Sequence, residues 1–135
     1  MGSRAGVIVL DTHVLLWLTA NPDQLSDAAA GAITHDTELA VSTISFQEIS
    51  YLAARGRIEL GRPTGRWIAA ALRANGVEPV PPGTAIAVSA GALDPTGFPA
   101  DPADRIIYAT ALERGVRLVT ADRRIASFDP ARVIW

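Results

Sequence analysis

The sequence predicts a three-layer α/β/α domain around a central, mostly parallel sheet. Three observations predict it. Short β-branched runs alternate with helical runs along the whole chain, the pattern of strand–helix–strand units with parallel pairing. Three helical runs stop at a glycine, Gly56, Gly76 or Gly115, as helix ends commonly do. The 135 residues, 49% hydrophobic and 19% charged, suit one domain, residues 1–135, with one core.

Val7-Ile8-Val9-Leu10 reads as a buried strand and Val14–Thr19 as a short helix ended by Asn21-Pro22. Ser26–Ile33 is helical with Ser26 as N-cap. Leu39-Ala40-Val41 is a short strand. Ser45–Arg55 and Thr64–Asn75 are helices, followed by a strand at Val77–Val80 and a helix at Thr84–Ala92. The Pro/Gly loop Asp94–Pro99 leads into the strongest helix, Pro102–Arg114. Val116–Thr120 is a strand, Arg123–Ser127 a helical turn and Arg132-Val133-Ile134 a last strand. In sheets of this type the ligand crevice lies beyond the C-terminal strand ends.

Absences narrow the chemistry. No cysteine is present, which excludes disulfides, thiol nucleophiles and Cys-ligated zinc, and suits a cytoplasmic protein. All 12 basic residues are arginine, so neither a Walker-type phosphate loop nor Schiff-base catalysis is available. The apolar run Ala5–Leu10 ends at Asp11, too soon for a signal peptide, and the longest charge-free stretch, Pro79–Leu93, is too short and too Pro-rich to span a membrane. His13 and His35 are the only histidines. His13 reads as a packing or hydrogen-bonding residue near the site, His35 as a surface loop residue. The nearest run to a serine nucleophile elbow, Ala87-Val88-Ser89-Ala90-Gly91, falls inside a helix. Trp17, Trp67 and Trp135 read as core or interface residues.

Charge is unevenly spread. Residues 1–54 carry net −5, residues 55–104 net 0 and residues 105–135 net +3. Asp11 directly follows the first strand and Asp122 lies two residues past another, so both are expected at one rim. Asp104 falls in the first turn of the Pro102–Arg114 helix, and Glu48 in the first turn of the Ser45–Arg55 helix. Each has a structural reading too. Ser45-x-x-Glu48 fits a capping box. Asp101-Pro102 is the best N-cap in the chain. Asp104 favours the helix dipole, and Asp122 can cap the turn that follows. Together, however, the acids repel: two charges about 4 Å apart cost on the order of 4 kcal/mol at an effective dielectric near 20. A bound cation relieves that repulsion. All-oxygen ligands select Mg²⁺ or Mn²⁺ over zinc, and such ions activate water and clamp phosphates during in-line displacement. Phosphodiester hydrolysis is the chemistry this set fits.

Four stretches carry a family resemblance: Leu10-Asp11-Thr12-His13-Val14-Leu15-Leu16-Trp17; Ser45-Phe46-Gln47-Glu48-Ile49; Asp101-Pro102-Ala103-Asp104-Arg105-Ile106-Ile107-Tyr108-Ala109-Thr110-Ala111; and Leu118-Val119-Thr120-Ala121-Asp122. In this order and at this length they resemble PIN-domain proteins, and most closely the VapC-type toxin ribonucleases of bacterial toxin–antitoxin pairs. The resemblance implies a PIN-like three-layer fold and Mg²⁺- or Mn²⁺-dependent cleavage of RNA. It assigns Asp11, Glu48, Asp104 and Asp122 as catalytic acids. Asp11, Asp104 and Asp122 would hold the metal, and Glu48 would bind metal or orient the attacking water. Thr120 and Asp101 would support them. Arg105, Arg123 and Arg124 are candidate phosphate contacts. A cognate antitoxin and a homodimer are the implied partners, with the Ser45–Gly76 region around Trp67 as their expected surface. Gln47 and Tyr108 depart from the family pattern and bear on substrate preference.

Two rivals differ in class. An acyl-phosphate phosphatase using Asp11 requires a close second acid and a lysine, and lysine is absent. A PIN-like RNA- or protein-binding module without nuclease activity requires a decayed site, and all four acids are present.

Overall fold

Five strands form one sheet, β1 (Val7–Leu10), β2 (Glu38–Ser42), β3 (Val77–Val80), β4 (Arg117–Val119) and β5 (Val133–Ile134). Their order is β3-β2-β1-β4-β5, and every neighbouring pair is parallel. The computed structural model describes residues 6–94, 97–98 and 101–135. Ala5 of the opening apolar run and Pro95, Thr96 and Pro99 of the Pro/Gly loop lie outside them.

The apolar strand runs follow from burial on both faces. Successive side chains alternate: Ile8 and Leu10 enter one core cluster and Val9 the other, and Leu39 and Val41 divide from Ala40 in the same way. On the first face pack α1 (Thr12–Ala20), α2 (Asp27–Ala32), α3 (Ile44–Ala54) and α4 (Thr64–Asn75), through Val14, Leu15, Ala29, Ile49, Trp67 and Ala71. On the second pack α5 (Thr84–Gly91), α6 (Pro102–Arg114) and α7 (Arg123–Phe128), through Ile86, Ala90, Ile107, Ala111 and Ile125. Gly76 and Gly115 close α4 and α6 in the left-handed conformation, at φ 62° and 66°, which costs a residue with a β-carbon more than it costs glycine. Pro79 sits in the edge strand β3, where a missing N–H is tolerated.

Three sequence expectations need correction. The first helix begins at Thr12 rather than Val14, because Asp11 takes the N-cap position. The capping box Ser45-x-x-Glu48 does not form. α3 starts at Ile44, one residue before the expected start, with Thr43 at the cap making no side-chain bond, so Glu48 falls in the second turn. Trp67 is not a surface residue: it is 8% exposed and packed in the first core.

The chain runs from β1 outward to β3 on one side of the sheet, then returns to β4 and β5 on the other. The order therefore reverses between β1 and β4, and a crevice opens beyond their C-terminal ends.

Candidate functional site

Asp11 stands at that reversal. Its amide donates to Val119 O at 3.0 Å, and its carbonyl accepts from Leu15 N at 3.1 Å, closing the first turn of α1. Both carboxylate oxygens are held: Oδ1 accepts the Thr12 amide at 2.7 Å and Oδ2 the Thr120 hydroxyl at 2.6 Å. Burial pushes the Asp11 pKa up, opposed by these two hydrogen bonds and by His13.

Thr120 also accepts the Asp122 amide at 3.1 Å, which turns the chain after β4. Asp122 caps α7, its Oδ1 accepting Arg124 N at 2.8 Å. Arg124 folds back on it, Nη2 lying 3.0 Å from Oδ2 and Nε 3.3 Å from Oδ1. Partial burial raises the Asp122 pKa, but the Arg124 bonds and charge outweigh it and leave the group below its usual value.

Asp101 caps α6, Oδ1 accepting Ala103 N at 2.9 Å, with Pro102 at the first helical position. Asp104 follows one turn in. Its side chain is 15% exposed, and Arg124 Nη2 is 3.7 Å away. Among the described residues no hydrogen-bond donor satisfies it. Burial, followed by the charges of Asp11, Asp101, Asp122 and Glu48, pushes Asp104 up to about 7. Glu48 reaches in from α3, its Oε1 accepting the Thr12 hydroxyl at 2.6 Å. Burial raises its pKa too, with Thr12 opposing and Asp11 and Asp101 adding.

These five acids line one cavity of about 360 Å³, with His13, Trp17 and Arg124 at its wall. The sheet thus brings together all four acids expected from sequence, with Asp101 both cap and lining residue and Thr120 bonded to Asp11. His13 is exposed and tilts against Trp17, ring centroids 5.8 Å apart, while His35 lies on the surface beside Asp36. Of the expected phosphate contacts only Arg124 lines the cavity. Arg105 turns away, its Nη1 donating to the carbonyls of Ala90 and Leu93 at 3.4 Å, because α6 packs along α5 and that helix end offers free acceptors. Arg123 is exposed on α7. Tyr108 serves the core: it donates to Asp129 at 2.5 Å and packs against Phe98 and Phe128.

Thr12 and Ser45 escaped sequence reasoning as site residues. The available signal was the hydroxyl residue beside Asp11 and the serine one helical turn before Glu48.

The donor set fits a hard divalent cation. It is all oxygen, and burial together with its neighbours' negative charge raises Asp104, which has no hydrogen-bond donor among the described residues, to about 7. The carboxylates ring the cavity without converging: among the described residues no trio is close enough to hold an ion as the side chains stand. Arg124, reaching both Asp122 and Asp104, supplies the positive charge between them.

A family model, PIN domain, matches residues 8–130. The chain belongs to the PIN domain family. It is 47% identical over 133 residues to Ribonuclease VapC22 of Mycobacterium tuberculosis, covering 95% of this chain and 98% of that protein. Among solved structures it is similar to VapBC2 from Rickettsia felis bound to a promoter DNA fragment (TM-score 0.67, 14% identity, 94% of this chain and 96% of that one). It is also similar to DNA-bound VapBC from Salmonella typhimurium (TM-score 0.67, 22% identity, 93% and 95%). At those identities the structural likeness is one of fold. This PIN domain has no helix, among the described residues, long and apolar enough to cross a membrane.

Proposed function

We propose that this PIN domain is an Mg²⁺- or Mn²⁺-dependent endoribonuclease toxin, restrained by a cognate antitoxin. The observation that carries the reading is the gathering of Asp11, Glu48, Asp101, Asp104 and Asp122 around one cavity at the β1–β4 reversal. The 47% identity to a protein named as a ribonuclease supports RNA as substrate. The likeness to VapBC toxin–antitoxin assemblies supports an antitoxin partner.

Asp11, Asp104 and Asp122 are the residues that would hold the cation. When bound, it supplies Lewis-acid activation of water and neutralises charge on the scissile phosphate. The clamp on Asp11 from Thr120 and from the Thr12 amide fixes its orientation before substrate arrives. Glu48, bonded through Oε1, keeps Oε2 to orient the attacking water and accept its proton. Arg124, held at the cavity wall by Asp122, is the cation placed to meet a phosphate oxygen. Hydrolysis in this sense leaves a 5′-phosphate and a 3′-hydroxyl.

The experiment is cleavage of end-labelled total tRNA and a structured RNA by wild type and Asp11→Asn, with Mg²⁺, Mn²⁺ or EDTA. Discrete metal-dependent cuts that vanish in the variant are expected. Full cutting by a folded Asp11→Asn would overturn the site assignment.

A further inference from the structure

The contact between Thr12 and Glu48 belongs to a longer chain. Thr12 opens α1 and Ser45 lies near the start of α3, and their hydroxyl oxygens are 2.8 Å apart. Thr12 is 1% and Ser45 0% exposed, so neither hydroxyl exchanges partners with bulk water. Every buried side-chain polar atom among the described residues has a partner.

Proton counting gives the chain a direction. A threonine hydroxyl has one proton, and an ionised carboxylate only accepts. With Glu48 ionised, the Thr12 proton lies on the 2.6 Å contact to Oε1. Thr12 Oγ1 is also the donor at the 2.8 Å contact to Ser45 Oγ, so its one proton is shared between the two and lies mainly on the shorter contact to Glu48. Ser45 braces the Thr12 hydroxyl, and Thr12 holds Glu48.

We propose that Ser45 and Thr12 form a buried positioning relay that fixes Glu48 in one orientation, Oε1 tethered and Oε2 presented to the cavity. This rests on the nuclease reading for its consequence, though not for its geometry. Glu48 is otherwise a flexible side chain, and among the described residues Thr12 is its only hydrogen-bond donor. The relay joins α1 to α3, so the acid on the third helix is aimed by the helix that Asp11 caps.

Two measurements test it. In the metal-free protein, the glutamate carboxyl carbons are labelled with ¹³C. The five glutamates give few resonances, and loss of one in Glu48→Gln assigns Glu48. Thr12→Val is expected to shift and broaden that resonance, while Thr12→Ser leaves it sharp. In cleavage assays with Mn²⁺, Thr12→Val and Ser45→Ala are expected to lower kcat, by about 10–100-fold for Thr12→Val, with KM unchanged. Thr12→Ser restores kcat, and Thr12→Val costs nothing further in a Glu48→Gln background. An unmoved Glu48 resonance in Thr12→Val overturns the relay. So does equal impairment of Thr12→Ser and Thr12→Val, which would make Thr12 a packing residue. If wild type cleaves no RNA while the resonance responds as expected, the nuclease reading fails and the relay stands.

Discussion

The Thr120 hydroxyl donates to Asp11 Oδ2 at 2.6 Å, across 109 residues of sequence and between the ends of β4 and β1. Asp11 is half-buried at the strand reversal, where its charge is costly. Thr120 offsets part of that cost and fixes the carboxylate at once.

Thr120→Val keeps the shape and removes the donor. It is expected to destabilise the fold by about 1–3 kcal/mol, the scale of an unsatisfied buried acceptor, and to lower cleavage by roughly 10–100-fold. Denaturant unfolding and initial rates measure the two losses. An unchanged rate would show that Asp11 needs no clamp.

Asp104 predicts an unusual pH dependence in the cation-free protein. Its pKa rises from 3.8 to about 7 on folding. Between those values the folded state keeps a proton that the unfolded state has lost. The sign follows: stability from this group falls as pH rises from about 4 to 7, and is lowest above 7. Asp11 and Glu48, also raised, act in the same direction. Asp122, lowered, acts oppositely, but only in acid. Thermal unfolding in EDTA should therefore show Tm falling from pH 5.5 to 8, with a shallower fall in Asp104→Asn and in saturating Mn²⁺. A Tm that rises over this range would contradict the assignment.

Trp67→Ala separates core from surface. In the first core cluster, the truncation is expected to cost about 3–5 kcal/mol. Sedimentation of the folded variant should give the mass of wild type. A stable variant with altered mass would restore the interface expectation.

The helices were legible where local chemistry sufficed. Thr64–Asn75 and Pro102–Arg114 match residue for residue, because glycine ends both and Asp101-Pro102 starts the second. The strands were legible because burial on both faces demands continuous apolar runs, although Val116–Thr120 proved to be Arg117–Val119. The acids were legible as a set, since Asp11 and Asp122 follow strands that parallel pairing brings to one edge. Arg105 was not: whether it faced the cavity or the end of α5 depends on how α6 lies along α5, which no local pattern encodes.

The amino-acid sequence by itself determined the alternation of elements, their caps and stops, and the four carboxylates that line the cavity of this PIN domain. These are properties of residue type and short spacing, set by backbone sterics, periodicity and formal charge. Tertiary structure alone decided what each polar group faces. Ser45 could have capped its own helix, yet it meets Thr12 because α1 packs against α3. Asp104 is an ordinary acid in sequence, and burial with the charges of four other carboxylates around the cavity raises it to about 7. Desolvation and Coulomb interactions depend on distances in space, and in this chain one hydrogen bond at the site joins residues 109 positions apart.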